Sequence, residues 1–354
     1  MIRRLCAGTG LALGCVLPAA AVGQEAPPVD VGGLLRVGAH AQADSTHEPD
    51  GFRLFDARLR VGGQIGIVFD YYFQARYDAD DDALKLWDAA ATLPLIPEME
   101  LTFGLFKPLF GLEATQTRGA LSFLDRSQAS TAIAPGRQLG MQGGGSALDG
   151  RLTYGAGMFN GNGRSVTNDG DNYMFTSRVQ FNSIGTVAFY DDLVVQAGAS
   201  IGYSSDTSAP LGKGIVTGDP TAAPHITSDF AGDRVFWSAD LRVTYRQWAL
   251  TGEYLRAEYD LDATPGGGMP AETDAYGGYL ELGYRAWGAL EGVVRYDSFQ
   301  PALGDDRDFM VFGMNVYPGY YARFSLQYAS ALNDSPSAPT LADRQFIFLV
   351  QVDF

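Results

Sequence analysis

The chain has 354 residues, 46% hydrophobic and 12% aromatic, with 44 glycines and a net charge of −16. That acidity excludes a nucleic-acid binder, whose affinity needs basic groups on phosphates. Ample apolar surface argues against disorder, and past the amino terminus no run of about 18 uncharged apolar residues offers a membrane-spanning helix.

Residues 1–23 have the pattern of a secretory signal peptide. Arg3 and Arg4 precede an apolar stretch from Leu5 to Leu17, and small residues follow at Ala19, Ala21 and Gly23. Cleavage would leave residues 24–354 as one domain and, with two arginines gone, take the charge from −16 to −18. Cys6 and Cys15 both lie in the part removed, which excludes disulfides, thiol catalysis and cysteine-held metals from the remainder.

From there onward the chain alternates. Leu35, Val37, Ala39 and Ala41 oppose Arg36, Gly38, His40 and Gln42, and Phe55, Ala57, Leu59 and Val61 oppose Asp56, Arg58 and Arg60. Between Ile67 and Asp78, Phe69, Tyr71, Phe73, Ala75 and Tyr77 oppose Asp70, Tyr72, Gln74, Arg76 and Asp78. The pattern returns around Met99 to Leu105, Trp237 to Tyr245 and Arg323 to Tyr328, and ends with Phe346, Phe348, Val350, Val352 and Phe354 on one face. Period two sustained over about ten residues is the signature of a tilted strand crossing a bilayer. About 16 such segments can be placed, the one from Gly140 to Leu148 being weak. Their second face carries arginines and carboxylates, whereas a soluble sandwich would present apolar inner faces. The fold class expected is therefore all-β: a transmembrane antiparallel β-barrel with a polar lumen, sealed edges and lipid outside. Tyr71, Tyr77, Tyr203, Tyr245 and Tyr284 are placed to form its interface girdles.

Short turns are expected at Asn182-Ser183, Arg246-Gln247, Arg285 to Gly288 and Pro318-Gly319, with longer polar loops between the other strands. The aspartates of Asp78 to Asp82 read as a solvated tip, since they lack the ligand spacing of a calcium loop. Residues 111–136 differ: too long for a turn, they hold Leu121, Phe123, Leu124 and Ile133 among charges. A loop with its own apolar residues must pack on something, so this is the candidate in-folded constriction loop, the alternative being an extracellular lid.

Anion passage needs basic groups at the narrowest point. Alternation turns Arg36, Arg58, Arg60, Arg76, Arg178, Arg242, Arg295 and Arg323 inward, and Lys107, Arg118, Arg126 and Arg137 lie on or beside the loop. Of these, Arg58, Arg60, Arg76, Lys107, Arg118, Arg126, Arg137, Arg242 and Arg295 are the candidate pore-lining, anion-binding residues. Against the eight strand arginines, eleven carboxylates also turn inward, among them Asp56, Asp88, Asp240, Glu253, Glu281, Glu291 and Asp297, and many would pair across strands. Catalysis has little to work with: His40, His47 and His225 accompany no nucleophile elbow or metalloprotease motif. No cofactor is called for, and no enzyme is expected. The alternative to a solute channel is a non-conducting structural or adhesive outer-membrane barrel.

Several stretches resemble, in family order, the phosphate-selective porin O and P family of Gram-negative outer membranes. They are FRLFDARLR at Phe52 to Arg60, KLWDAAATL at Lys85 to Leu93, LTFGLFKPLF at Leu101 to Phe110, FLDRS at Phe123 to Ser127, PGRQLG at Pro135 to Gly140, YGAGMFNGNG at Tyr154 to Gly163, EGVVRYD at Glu291 to Asp297 and GMNVYPG at Gly313 to Gly319. The resemblance implies a 16-stranded barrel, commonly a homotrimer, with a loop narrowing the pore and diffusive transport of small anions such as phosphate or polyphosphate. It departs from the phosphate-specific members in having only Lys85, Lys107 and Lys213 past the signal, so the permeant ion is left open, with anions favoured. The final strand is similar to those that barrel assembly machinery reads through a terminal aromatic, here Phe354.

Overall fold

The computed structural model describes residues 29–42, 50–66, 69–78, 82–164, 167–168, 170–183, 192–209, 230–262, 272–302, 306–333 and 344–354. Sixteen strands account for most of them: β1 Val29–Gln42, β2 Gly51–Ile65, β3 Phe69–Asp78, β4 Ala83–Ile96, β5 Met99–Phe106, β6 Gln138–Ala147, β7 Leu152–Phe159, β8 Met174–Asn182, β9 Leu193–Ala209, β10 Phe230–Tyr245, β11 Trp248–Leu261, β12 Glu272–Ala286, β13 Leu290–Gln300, β14 Arg307–Val316, β15 Ala322–Ala331 and β16 Arg344–Asp353. Each pairs antiparallel with its chain neighbours, and β1 closes on β16 with Leu34 opposite Asp353 and Gln42 opposite Gln345. Closure leaves no unpaired edge, which the hydrocarbon of a bilayer could not satisfy.

Alternation sorts the two faces. Leu59, Phe73, Ile201, Leu241, Leu280, Phe312 and Phe348 lie exposed on the outer face, while Asp56, Arg178, Asp240, Glu253, Arg295 and Arg323 between such positions are buried. The buried set faces inward, because side chains from strands two apart converge only on the concave side. Arg178 of β8 forms a two-pronged bond to Asp240 of β10 at 2.7 and 3.0 Å, passing over Gly198 of β9. A Cβ on Gly198 would stand 2.4 Å from that guanidinium, so the bond requires glycine there. Aromatic pairs flank the apolar band, Trp248 with Tyr284 beside the short turns and Tyr328 with Phe346 near the opposite rim, both 4.6 Å apart.

The turn at Arg246-Gln247 forms as expected, with Arg246 at φ 53. The one expected at Asn182-Ser183 is longer: β9 begins at Leu193, and residues 184–191 lie outside those described. The segment of residues 1–23 also lies outside them. The weakly patterned segment near Gly140 forms a regular strand, β6, because its glycines still offer a full set of backbone partners to β5 and β7. The expected polar lumen has an apolar part. Phe236, Leu255, Ala257, Tyr259, Ala275 and Phe299 on β10–β13 form an apolar cluster with Phe110, Ala129 and Ile133 of the β5–β6 connection.

Candidate functional site

The β5–β6 connection contains three short helical pieces: α1 at Leu112–Thr115, a 3-10 turn at Arg118–Ala120 and α2 at Gln128–Ile133. Ser127 caps α2 by accepting from Ser130 N at 3.2 Å. Buried side chains on distant strands hold this connection mainly by its backbone. Glu253 of β11 accepts from the amides of Leu112 and Glu113 at 2.7 and 3.0 Å. Asp297 of β13 accepts from the amide of Gln128 at 3.2 Å. Gly111, at φ 69, permits the first contact, since a Cβ there would lie 2.6 Å from the Glu253 carboxylate. On the facing strands the polarity reverses. Arg36 of β1 donates to Leu124 O at 2.7 Å, Gln351 of β16 to Gly119 O at 3.0 Å, Asn315 of β14 to Ser122 O at 2.9 Å, and Arg323 of β15 to Leu121 O. Arg36 and Arg323 flank Gln351 on one rung, because both take it as their register partner.

Thus many of the inward carboxylates are engaged around this connection or with each other's cations. Glu281 accepts from Ser122 Oγ at 2.8 Å and, with Glu113, encloses Arg295 at 2.6 and 2.7 Å. Glu291 accepts from Asn315 and Tyr317. Around Arg295 the arrangement is charge-assisted and desolvated, and both oxygens of Glu113 and of Glu281 have a donor.

On the other wall the basic residues gather around Trp87 of β4. The guanidinium carbons of Arg164, Arg76, Arg137 and Arg58 stand 4.4, 4.6, 4.7 and 5.7 Å from its ring centre. A β-bulge puts the indole there. Register shifts between Gln74 and Ala75 of β3, so that Asp88 pairs Gln74, Leu86 pairs Ala75, and Trp87 is the extra residue between them. Asp88 takes Arg137 in a fork at 2.7 and 2.9 Å. Asp56 accepts from Arg58 at 2.5 and 2.8 Å and from Arg76 at 3.1 Å, with Arg118 at 4.0 Å. Arg60 lies over Tyr72 at 5.3 Å. Lys107 Nζ donates to Ala114 O and Gln116 O, both at 2.7 Å, while Arg126 holds Glu113 O and Gln116 O at 2.9 and 2.6 Å. Burial, with Arg126, Arg137 and Arg58 nearby, pushes the Lys107 ammonium down to about 6 against the pull of Asp88. Burial and Arg118 likewise lower Arg126 to about 10, opposed by Glu113. A crowd of cations that lower one another's proton affinity is a region of positive potential.

Of the nine residues singled out in the sequence, the structure brings Arg58, Arg76 and Arg137 onto one indole, with Arg60, Lys107, Arg118 and Arg126 on the same side. Arg295 stands apart among carboxylates, and Arg242 is exposed near the turn end of β10. Trp87 and Arg164 escaped the sequence reading. A bulge leaves no mark in strict alternation, and Arg164 lies in the β7–β8 connection, where periodicity says nothing. Between residues 115–119 and the wall of β1–β4 runs a cavity of about 640 Å³, lined by Arg58, Arg60, Lys107 and Arg137 and by Asp30, Asp88 and Asp353.

A closed sixteen-strand barrel with an apolar outside and a charged inside defines a transmembrane channel of the outer-membrane porin class. The family model "Phosphate-selective porin O and P" matches residues 31–350, and the chain belongs to that family. No curated protein matches it in sequence. Among solved structures it is similar to an anion-selective porin from Comamonas acidovorans, with TM-score 0.64 and 11% identity over 93% of this chain and 100% of that one. A trimer form of OmpT from Vibrio cholerae gives TM-score 0.59 and 13% identity over 93% and 100%. Salmonella typhi OmpF in complex with daunomycin gives 0.60 and 13% over 92% and 97%. The family and the fold place the protein in the outer membrane and point to a channel and not an enzyme.

Proposed function

We propose that the protein is a diffusion porin in which residues 111–136 form an in-folded constriction loop, small anions being the favoured solutes. The observation that carries this reading is the sorting of charge. The carboxylates of β11–β13 engage the loop backbone and Arg295, while Arg58, Arg60, Arg76, Lys107, Arg118, Arg126, Arg137 and Arg164 collect on the opposite wall around the 640 Å³ cavity. Asp56, Asp88 and Asp125 are among the carboxylates bonded to or within 4.0 Å of that basic group. Arginine forks suit the oxygens of an oxyanion, and phosphate is the solute the family's description names. The same reading takes residues 1–23 as the export signal, the trimer as the working assembly and Phe354 as the contact for barrel assembly machinery.

Single-channel recording of purified protein in a planar bilayer under a salt gradient tests it. Discrete steps with a reversal potential on the anion side are expected, and Arg137→Ala should move that potential toward zero. Cation preference would remove the anion reading and keep the porin. No steps from folded barrels would favour the structural or adhesive barrel.

A further inference from the structure

We propose that the cavity between the loop and β1–β4 recognises zwitterionic solutes, small organic molecules carrying both a carboxylate and an ammonium. This rests on the cavity being the permeation path, and it narrows the organic solutes favoured there from carboxylates in general to those that also carry an ammonium. The argument starts from which of its charges are already answered. Arg58 is bound to Asp56 and Arg137 to Asp88, so both present largely compensated pairs. Arg60 is different: among the described residues it has no hydrogen bond or ion pair, and its guanidinium lies 5.3 Å from the centre of the Tyr72 ring. That contact draws its guanidinium toward β3. Lys107 is turned away from the solute by three main-chain carbonyls and, with its ammonium pushed down to about 6, is mostly uncharged at neutral pH, so it adds little to this wall.

The carboxylates sit on the other side of the same space. Asp30 of β1 and Asp353 of β16 line the cavity, and neither makes a side-chain hydrogen bond or ion pair among the described residues. Register explains the separation. Arg60 pairs across to Gly32, with Asp30 two residues further along β1. Arg58 and Asp353 share Leu34 as partner from opposite sides, so their strands are about 10 Å apart. The barrel therefore fixes one guanidinium without a carboxylate partner among the described residues, Arg60, toward β2 and β3, and two carboxylates that make no hydrogen bond or close ion pair toward β1 and β16, with Arg323 beyond Asp353. An anion that approaches Arg60 meets the opposing carboxylates, and a cation at Asp353 meets the opposing guanidinium. A solute with both charges satisfies both walls at once, and specificity follows from that complementarity.

The test is uptake by proteoliposomes of four solutes of matched size at neutral pH: 4-aminobutyrate, butyrate, butylamine and an uncharged hydroxyamide. The full-length barrel should admit 4-aminobutyrate about threefold faster than the uncharged solute and ahead of butyrate, the scale of one exposed ion pair. Asp353→Asn should make butyrate the faster of the two, and Arg60→Gln should bring 4-aminobutyrate down to the uncharged rate. Each variant is scored only as folded barrel, by its heat-dependent mobility on gels. Butyrate as fast as 4-aminobutyrate in the unaltered protein, or a preference that survives both substitutions, overturns the inference while leaving the porin intact. Failure of all four solutes to enter would remove the porin reading together with it.

Discussion

Four guanidiniums around one indole, at 4.4 to 5.7 Å, would repel one another in a neutral slot. Trp87 offsets part of that cost, each cation–π contact contributing about 0.5–1 kcal/mol, more where water is excluded. Trp87→Leu should therefore scatter the cluster and reduce anion preference, read as a smaller reversal potential, while the barrel still folds. Lys107 makes a second prediction. Its amine gains a proton as pH falls through about 6, adding a positive charge beside the cavity. Anion preference should rise on acidification through that value, and Lys107→Met should flatten the step. The stability sign is opposite to that of a paired lysine. Unfolded, the amine keeps its proton to about pH 10, so between the two values the unfolded chain binds more protons and this group favours folding more as pH rises. Legibility at this scale was mixed. Arg58, Arg76 and Arg137 could be picked out by alternation and loop position, whereas Trp87 could not, because its inward turn depends on a register shift set by β3.

At the scale of elements, the β5–β6 connection is positioned by its backbone. Glu253 and Asp297 take its amides, and Arg36, Arg323, Gln351 and Asn315 take its carbonyls. Its path thus depends less on its own side chains than on the strands that receive it. Phe110 on Phe236, ring centres 4.9 Å apart, supplies the apolar contact. Arg295 anchors the charged side, and its removal would leave Glu113 and Glu281 buried without a cation. Arg295→Ala should cost about 3–5 kcal/mol, while Arg242→Ala, exposed on β10, should stay within about 0.5 kcal/mol. Urea unfolding of the two variants in detergent checks the difference, and excess current noise in the first would locate the effect in the loop. The sequence showed that residues 111–136 needed a surface to pack on. It did not show that β10–β13 offer an apolar one, since Leu255, Ala257, Tyr259 and Leu261 sit on the same alternation as Glu253.

For the whole molecule, the outer face is what the bilayer tests. Leu280 is exposed near the middle of β12. Leu280→Arg should destabilise the folded barrel in vesicles by about 2–4 kcal/mol, as charge on the lipid face at mid-depth does. A shift in the folding equilibrium much below that would place this strand outside the hydrocarbon.

The strand pattern, the apolar exterior and the existence of one exceptional connection are properties of consecutive residues. A strand's two faces follow from the pleat, so they are written in local order and needed no partner to be read. Which charges meet is different. Arg295 and Glu113, Arg36 and Leu124, Arg178 and Asp240 are brought together by barrel closure and register across 60 to more than 180 positions. The sorting of carboxylates to the loop and arginines to the opposite wall is therefore a product of the tertiary structure alone. Coulombic and hydrogen-bond energies depend on distance in space, and a linear chain does not encode that distance one residue at a time.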